Sequence, residues 1–287
     1  MFTHGMLDPW FNTAYPVKTF FKTIFWKLFE HKVLRDARGV MFTCDEERRL
    51  ASGSFAPYSA REYGVGYGTR DVDGDPAVHR SAFAAHVPQV GGRKFILFLS
   101  RIHPKKGVDL LINAFARQAG TFPEFDLVIA GPDQTGWTSE LQRQARELGV
   151  AGRIHWPGML SGDVKWGAFR SAEFFVLPSH QENFGIAVAE AMALSKPVLI
   201  TNQVNIWREI EANRAGIVVN DDIDGVAAGL QALCALSEAE RDAMGRRGRA
   251  CFLSRYDLEA NAMQLLALFQ ELTREPDARP QELQTVA

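Results

Sequence analysis

Two basic residues follow a short apolar run and have the chemistry to hold an anion. The run Phe95–Leu99 (FILFL) leads into Arg101, and Lys106 comes five residues after that arginine. A guanidinium and an ammonium group beside the unpaired N–H groups of a helix start form a favourable site for a diphosphate. Taken alone, two basic residues in a loop are equally compatible with an ordinary solvated surface.

A pair of glutamates eight residues apart brackets a glycine. Glu182 comes just before a predicted helix, where the helix dipole favours a carboxylate. Glu190 lies among small apolar residues of that helix, and a buried carboxylate needs donors such as the hydroxyl groups of a ribose. Gly185 permits close approach of the backbone, and the N–H groups of Phe184, Gly185 and Ile186 can point at an anion.

Several other kinds of chemistry find no support in the sequence. It contains no GxGxxG, no GxxxxGK[ST] and no GxSxG motif, which argues against nicotinamide or flavin binding, a P-loop and a hydrolase nucleophile. The seven histidines have no HExxH or paired spacing. We therefore expect no metal site.

The elements that position these residues are short apolar runs alternating with amphipathic segments between residues 93 and 235. Such alternation predicts βαβ units and a parallel sheet covered on both faces, so we expect an α/β, doubly wound, Rossmann-like domain. Ligands of such sheets bind outside the carboxyl ends of the strands, where Gly131 also follows a strand. The predicted strands are Phe95–Leu99, Asp126–Ala130, Arg153–Trp156, Phe174–Leu177, Pro197–Ile200 and Gly216–Val219.

Composition limits the class of protein. The 287 residues are 46% hydrophobic and 23% charged with a net charge of −2, which excludes a globally basic nucleic-acid binder and a disordered chain. No apolar run is long enough to cross a membrane. The three cysteines form no CxxC pair, which favours a reducing, cytoplasmic setting.

Residues 18–38 are basic and aromatic, and two interpretations apply. Apolar side chains recur at helical spacing, together with six lysines and arginines against two carboxylates. The segment is either a helix packed in a core with a solvated basic side, which is the commoner origin of such an arc, or a helix that lies on a membrane surface. A strand is predicted over Val40–Asp45.

The motifs resemble a known family. SRIHPKKG, VIAGPD, RIHWPG, VLPSHQENFGIAVAEAMA and KPVLITN are similar to the donor-binding half of retaining GT-B glycosyltransferases of family 4 (group 1), over about residues 93–235 and more weakly 236–272. Arg101 and Lys106 match the Arg-x4-Lys pair of that family, and Glu182 and Glu190 match its E-x7-E signature. HGMLDPW and FTCDEE resemble the end of its acceptor-binding domain, where His4 matches a histidine that faces the cleft.

The resemblance implies roles for these residues. Arg101 and Lys106 would hold the diphosphate and stabilise the leaving nucleotide, Glu182 would lie near the donor sugar, and Glu190 would bind the ribose. The implied catalytic residues are Glu182, Arg101, Lys106 and His4. The implied donor-binding residues are Arg101, Lys106, Gly131, Glu182, Asn183, Phe184, Gly185, Ile186 and Glu190.

The resemblance also implies a function. We expect a hexosyltransferase-type enzyme of polysaccharide biosynthesis, retaining and metal-independent, with no cofactor beyond a UDP- or GDP-linked sugar as co-substrate. The expected acceptor is a saccharide or a lipid-linked precursor, with peripheral contact at the inner membrane face. The alternative is a nucleotide-sugar-binding half, or an inactive fragment, that needs a separate acceptor-domain chain; residues 1–50 would then meet a partner chain or a second copy.

The expected domain organisation follows the same resemblance. Residues 1–75 are interpreted as a remnant of the acceptor-side N-terminal domain, most of which is missing, together with a linker. Residues 92–255 form the nucleotide-sugar-binding domain, residues 256–273 a closing C-terminal helix, and residues 274–287 a disordered tail.

Overall fold

The computed structural model describes residues 1–274, in which a six-stranded parallel sheet forms the centre. The six strands are β3 (Lys94–Leu99), β4 (Phe125–Ala130), β5 (Ile154–Gly158), β6 (Phe174–Leu177), β7 (Val198–Thr201) and β8 (Gly216–Val219). Their order in the sheet is β5-β4-β3-β6-β7-β8, so the chain moves outward from β3 in one direction and then from β6 in the other. The α/β, doubly wound sheet predicted from the apolar runs is confirmed, and each of the six strands predicted for this sheet is present to within a residue or two at each end.

Helices cover both faces of this sheet because right-handed crossovers place the helices of the two halves on opposite sides. Within the sheet domain, α6 packs on α11, α5 packs on α8, and α9 packs on α12. The helices from here to the end of the described chain are α5 (Pro76–His86), α6 (Val108–Gln118), α7 (Thr138–Glu147), α8 (Gly162–Ser171), α9 (Ile186–Ala193), α10 (Trp207–Ala212), α11 (Ile223–Ala235), α12 (Glu238–Arg255) and α13 (Leu258–Arg274).

The core lies between the sheet and its helices. All six residues of β4 are buried, as expected for a central strand of a parallel sheet covered on both faces. Phe95, Phe98, Phe125, Phe174 and Phe175 are each at most 2% exposed, so the sheet itself holds much of the aromatic content of the chain. Burial of a phenylalanine side chain is worth roughly 1.5–3 kcal/mol, and these rings therefore anchor the domain.

The front segment, residues 1–75, has a different architecture. Two short parallel strands pair there, and most of the remaining structure is helical. Its elements are α1 (Trp10–Ala14), α2 (Pro16–Phe25), a π-helix (Trp26–Glu30), α3 (His31–Asp36), β1 (Val40–Phe42), α4 (Asp45–Ala51) and β2 (Glu62–Gly64).

The apolar arc of residues 18–38 does not face a core. No residue of α2 is buried, and Trp26 and Leu34 are the buried apolar side chains of the π-helix and α3. The interpretation as a helix packed in a core is therefore wrong for most of this arc. The exposed apolar side chains are Val17, Phe20, Phe21, Ile24, Phe25, Leu28, Phe29 and Val33.

Other differences from the sequence predictions are local. The strand predicted over Val40–Asp45 ends at Phe42, because Cys44 caps helix α4. Helix α5 was not predicted, since its apolar periodicity is weak; Phe83 places it against the sheet domain, where its ring stacks on Phe95. The tail predicted as disordered lies almost wholly outside the described residues, and the proposed domain boundaries remain predictions. No helix within residues 1–274 is long and apolar enough to span a membrane.

Candidate functional site

A cavity of about 480 Å³ opens at the carboxyl ends of β3 and β6, where the strand order reverses. This is the position at which doubly wound sheets bind their ligands. The loop after β3 contributes Arg101 and Lys106, and the loop after β6 contributes Glu182 and the start of α9. The two motifs found in the sequence, which begin at Arg101 and Glu182, therefore line one cavity.

The two loops touch because a glycine lets their backbones approach. Gly107 has φ +65°, and a Cβ added there would lie 2.0 Å from the Pro178 carbonyl oxygen. The His180 N–H donates to the Lys105 carbonyl at 2.8 Å. Together these contacts hold the loop after β3 against the loop after β6.

Lys106 and Glu182 form an ion pair on the wall of the cavity. The Lys106 side chain is 9% exposed, and the pair stabilises a charge that would be costly to bury alone. Arg101 is exposed and forms no ion pair with another residue of the described chain. Its guanidinium is therefore available to an anion that enters the cavity.

The loop after β3 is strongly positive. Burial lowers the pKa of His103, and the neighbouring charges of Arg101, Lys105 and Lys106 lower it further. Burial also lowers the pKa of Lys105, with the positive charge of Lys106 adding to the effect. The part of these pKa shifts that comes from neighbouring cations reflects a local positive potential, which would attract a diphosphate.

Glu190 lies deeper in the cavity wall and is 5% exposed. Lys165 of α8 donates to its Oε1 at 2.6 Å. Burial raises the pKa of Glu190, and the hydrogen bond and charge of Lys165 offset only part of that rise. The second carboxyl oxygen of Glu190 remains able to accept a hydrogen bond from a ligand hydroxyl.

The start of α9 supplies backbone donors. Gly185 precedes the helix with φ +79°, a conformation that glycine adopts at little cost. The first-turn amides of a helix have no partner within the helix, so those near Ile186 are free to meet an anion. Phe184 is buried in edge-to-face contacts with Tyr67 and Tyr256, which fixes the loop that these amides belong to.

The front segment forms the opposite wall. His4 is exposed and borders the cavity, with its ring stacked on Phe2 at 5.4 Å between centroids. Asn183 donates to the Thr43 Oγ1 at 3.1 Å, and Gly5 packs against its side chain. The Asn183 side chain therefore borders the cavity and bonds the front segment through its Nδ2, while its Oδ1 is buried without a hydrogen-bond partner in the described residues.

A buried carboxylate orders the turn that contains His4. Glu47 is 3% exposed and accepts hydrogen bonds from the Thr3 hydroxyl at 2.8 Å and the Gly5 N–H at 2.6 Å. It also accepts from the N–H and the hydroxyl of Thr43, at 2.7 and 2.6 Å. Glu47 thus positions the residues on both sides of His4.

The sequence predictions and the geometry differ at a few residues. Gly131 is not among the residues that border the cavity. It has φ +151°, and a Cβ there would lie 1.7 Å from the Ser100 carbonyl oxygen, so it lets the loop after β4 pack closely against the loop after β3. Lys165 and Tyr67 border the cavity but were missed. Lys165 lies in the first turn of α8, which follows β5. This position after the carboxyl end of a strand was the only feature of the sequence that could have indicated a cavity residue. Within residues 1–274, no group of three or more His, Cys, Asp or Glu side chains is placed to hold a metal ion.

Comparison with known sequences gives a consistent result. A family model described as "Glycosyl transferases group 1" matches residues 81–251. The chain is 31% identical over 182 residues to phosphatidyl-myo-inositol mannosyltransferase of Mycolicibacterium smegmatis, covering 62% of this chain and 45% of that protein. It is 28% identical over 190 residues to mannosylfructose-phosphate synthase of Agrobacterium fabrum, covering 64% and 42%. The chain therefore spans about half the length of the curated relatives that it matches.

Solved structures share the fold. Anabaena HepE, solved in complex with UDP-glucose, has a TM-score of 0.74 at 17% identity, covering 94% of this chain and 71% of that one. Sucrose-phosphate synthase from Thermosynechococcus elongatus has a TM-score of 0.69 at 22% identity, covering 86% and 61%. The α/β sheet described above is thus that of GT-B glycosyltransferases.

Proposed function

The chain belongs to the glycosyl transferases group 1 family, and we propose that it transfers a hexose from a nucleotide-diphosphate sugar to a saccharide or lipid-linked acceptor. The observation that carries this proposal is the convergence of Arg101, Lys106, Glu182 and Glu190 on one cavity at the switch point of the sheet. In this proposal the donor is UDP- or GDP-linked, the reaction retains anomeric configuration, and neither metal nor cofactor takes part.

Each group has a task in this proposal. Arg101 and Lys106 bind the diphosphate and stabilise the charge that develops on the leaving nucleotide. The first-turn amides of α9 add donors to the same phosphates. Glu190 accepts hydrogen bonds from the ribose, and Glu182 lies beside the transferred sugar, while His4 faces it from the opposite wall.

The electrostatic part is tested by calorimetric titration with UDP, GDP and ADP. We expect one nucleotide to bind, and the double variant Arg101→Ala/Lys106→Ala to lose at least about tenfold in affinity along with much of the salt dependence. Arg143→Ala is the matched control, because Arg143 lies on the exposed face of α7. Unchanged binding in the double variant would contradict the diphosphate assignment.

The ribose assignment has its own test. Glu190→Gln should weaken binding of the ribonucleotide more than that of its 2′-deoxy analogue, because the deoxy compound has already lost one hydroxyl. Equal losses for the two nucleotides would show that Glu190 does not bind this hydroxyl.

The alternative is a nucleotide-sugar-binding half, or an inactive fragment, that depends on a separate acceptor-domain chain. The exposed apolar side chains of α2 and the π-helix favour an interaction of this segment with something else. Nucleotide binding without sugar transfer, with transfer restored by an added acceptor-domain chain, would support this alternative. Turnover by the purified chain alone would exclude it.

We also propose that this exposed arc contacts the surface of a membrane on the cytoplasmic side. Phe20, Phe21, Phe25 and Phe29 are each more than half exposed, and lysines flank them at positions 18, 22, 27 and 32. An apolar stripe bordered by cations suits an interface of anionic lipids. Such contact would bring a lipid-linked acceptor to the cavity.

A further inference from the structure

A second cavity, of about 410 Å³, opens where the front segment meets the loop after β7. Its walls include Asp8, Trp10, Glu46, Gln181, Asn205 and Trp207. None of these residues belongs to the diphosphate or ribose assignments above. The cavity therefore needs an explanation of its own.

Neighbouring residues of one loop border the two cavities. Gln181 borders the second cavity and Glu182 the first. The Glu182 N–H donates to the Gln203 carbonyl at 3.0 Å, and the Asn205 N–H donates to the Glu182 carbonyl at 3.0 Å. Gln181 also donates to the Asp8 Oδ2 at 2.9 Å. A molecule in the second cavity thus lies against the loop that contains Glu182.

The charged side chains that line the second cavity balance one another. Glu46 lies between two guanidinium groups, accepting from Arg49 at 2.5 Å and from Arg208 at 2.9 Å. The Asp8 Oδ1 accepts the Trp10 N–H at 2.9 Å, and its Oδ2 accepts from Gln181. Two carboxylates and two guanidinium groups compensate one another, so an ionic ligand gains little here while a neutral polar ligand finds many partners.

An unpaired donor and two indole rings complete the walls. Asn205 is 4% exposed, and its Nδ2 has no hydrogen-bond partner in the described part of the chain. A buried amide N–H without an acceptor is costly. Asn205, which borders the cavity, therefore has an unused donor at its wall. Trp10 and Trp207 are half-buried in the same walls, with Lys105 over the first ring at 4.7 Å and Arg208 over the second at 4.1 Å, and an indole combines an apolar face with a polar edge. Apolar faces combined with hydroxyl groups are the chemistry of a sugar ring.

We propose that the second cavity binds a neutral saccharide unit of the acceptor. This inference rests on the proposed function, because it takes Glu182 as the boundary between donor sugar and acceptor. The nucleotide, the transferred sugar and the acceptor then lie in sequence from Glu190 past Glu182 to Asn205. Asn205, Trp10 and Trp207 become the residues that select the acceptor.

The test uses saturation-transfer NMR with methyl α-glucoside, methyl α-mannoside and methyl α-galactoside, and with glucose 6-phosphate as a charged probe. We expect at least one neutral glycoside to bind at millimolar concentration and the sugar phosphate to bind no better. Asn205→Leu and Trp10→Leu should each weaken glycoside binding by about tenfold. Trp137→Leu, at the start of α7 in the sheet domain, is the matched control and should leave it unchanged.

Calorimetry with the nucleotide, on the same variants, separates this inference from the proposed function. Asn205→Leu and Trp10→Leu should keep the nucleotide affinity of the unmodified chain, which also establishes that they fold. Glycoside binding that survives in both variants, no glycoside binding by a chain that binds nucleotide, or preferred binding of the sugar phosphate would each overturn the inference. Glycoside binding without nucleotide binding would support the cavity assignment and contradict the donor site instead.

Discussion

Two amphipathic helices of the molecule have similar patterns and opposite surroundings. Phe115 of α6 is 2% exposed between the sheet and helix α11, whereas Phe21 of α2 is 65% exposed. Both helices have apolar residues at helical spacing and polar residues on the other side. The comparison shows that periodicity specifies a helix with an apolar stripe, but does not specify that anything covers the stripe.

Charged groups differ between the two regions as well. In the sheet domain, Lys106 and Lys165 are paired with buried or half-buried carboxylates around the 480 Å³ cavity. In the front segment, Lys18 and Lys22 lie over the rings of Tyr15 and Phe11, at 5.2 and 5.7 Å. The first arrangement neutralises cations inside a cavity wall, and the second leaves cations on the surface of the segment.

If α2 is uncovered, aromatic residues of the front segment should contribute less to the free energy of unfolding than those of the sheet domain. Phe98→Ala in β3 should lower the free energy of unfolding by about 3–5 kcal/mol, because a buried ring is replaced by a cavity. Phe21→Ala should change it by less than about 0.5 kcal/mol, because that ring is exposed. Urea unfolding of both variants measures the two values, and a large loss for Phe21→Ala would mean that α2 is covered in solution.

Glycine substitutions should also differ between the two regions in their effect on stability. Gly107→Ala should cost about 2–4 kcal/mol, because its φ is positive and the new Cβ meets the Pro178 carbonyl oxygen. Gly53→Ala in the front segment should cost less than about 0.5 kcal/mol, since the nearest atom lies 3.5 Å away and its φ is not positive. Thermal unfolding compares them, and nucleotide titration of Gly107→Ala reports whether the two site loops still meet. A Gly107→Ala variant as stable as the parent would contradict the close approach of the loops.

Vesicle binding tests what covers the exposed stripe. The chain should sediment with vesicles that contain phosphatidylglycerol and much less with pure phosphatidylcholine, because lysines border the stripe. Phe21→Ala should weaken binding by about tenfold, the loss expected from part of one buried aromatic ring. Met263→Ala is the control, since Met263 is 68% exposed on α13, outside the stripe. Equal binding to both vesicle types, or an equal effect of the control, would rule out this docking mode.

An ion pair between Glu46 and Arg208 joins the two regions and should contribute modestly to stability. Burial alone would raise the pKa of Glu46, but the hydrogen bonds and charges of Arg49 and Arg208 outweigh burial and lower the pKa below its ordinary value. The stabilisation is therefore present above the ordinary pKa of a glutamate and is lost as the pH falls through the lowered value. Glu46→Gln should cost about 1 kcal/mol at pH 7, and the difference from the unmodified chain should vanish in acid. Urea unfolding over a pH series measures it; a difference that does not depend on pH would exclude the ion pair as its cause.

The local pattern of apolar and turn residues was sufficient to predict most elements of the sheet domain. Each of the six strands is a short apolar run bounded by turn residues, so its position follows from composition over a handful of residues. Because parallel strands end at a common edge, the loops that contain Arg101 and Glu182 could be assigned to one side of the sheet. Asn205 gave no such signal, since it lies outside every motif identified in the sequence. Trp10 ends the HGMLDPW segment, but nothing in that segment indicated a second cavity.

Composition and spacing along the chain were enough to predict the α/β class, the six strands of the sheet and the residues at its carboxyl edge. Four features emerged only from the folded chain: Lys106 pairs with Glu182, Lys165 pairs with Glu190, α2 exposes its apolar side, and a second cavity adjoins the first. The difference comes from the distance along the chain over which each feature is set. Backbone preference and one-sided apolarity are local properties, whereas a partner or an uncovered face depends on contacts between residues far apart in the chain.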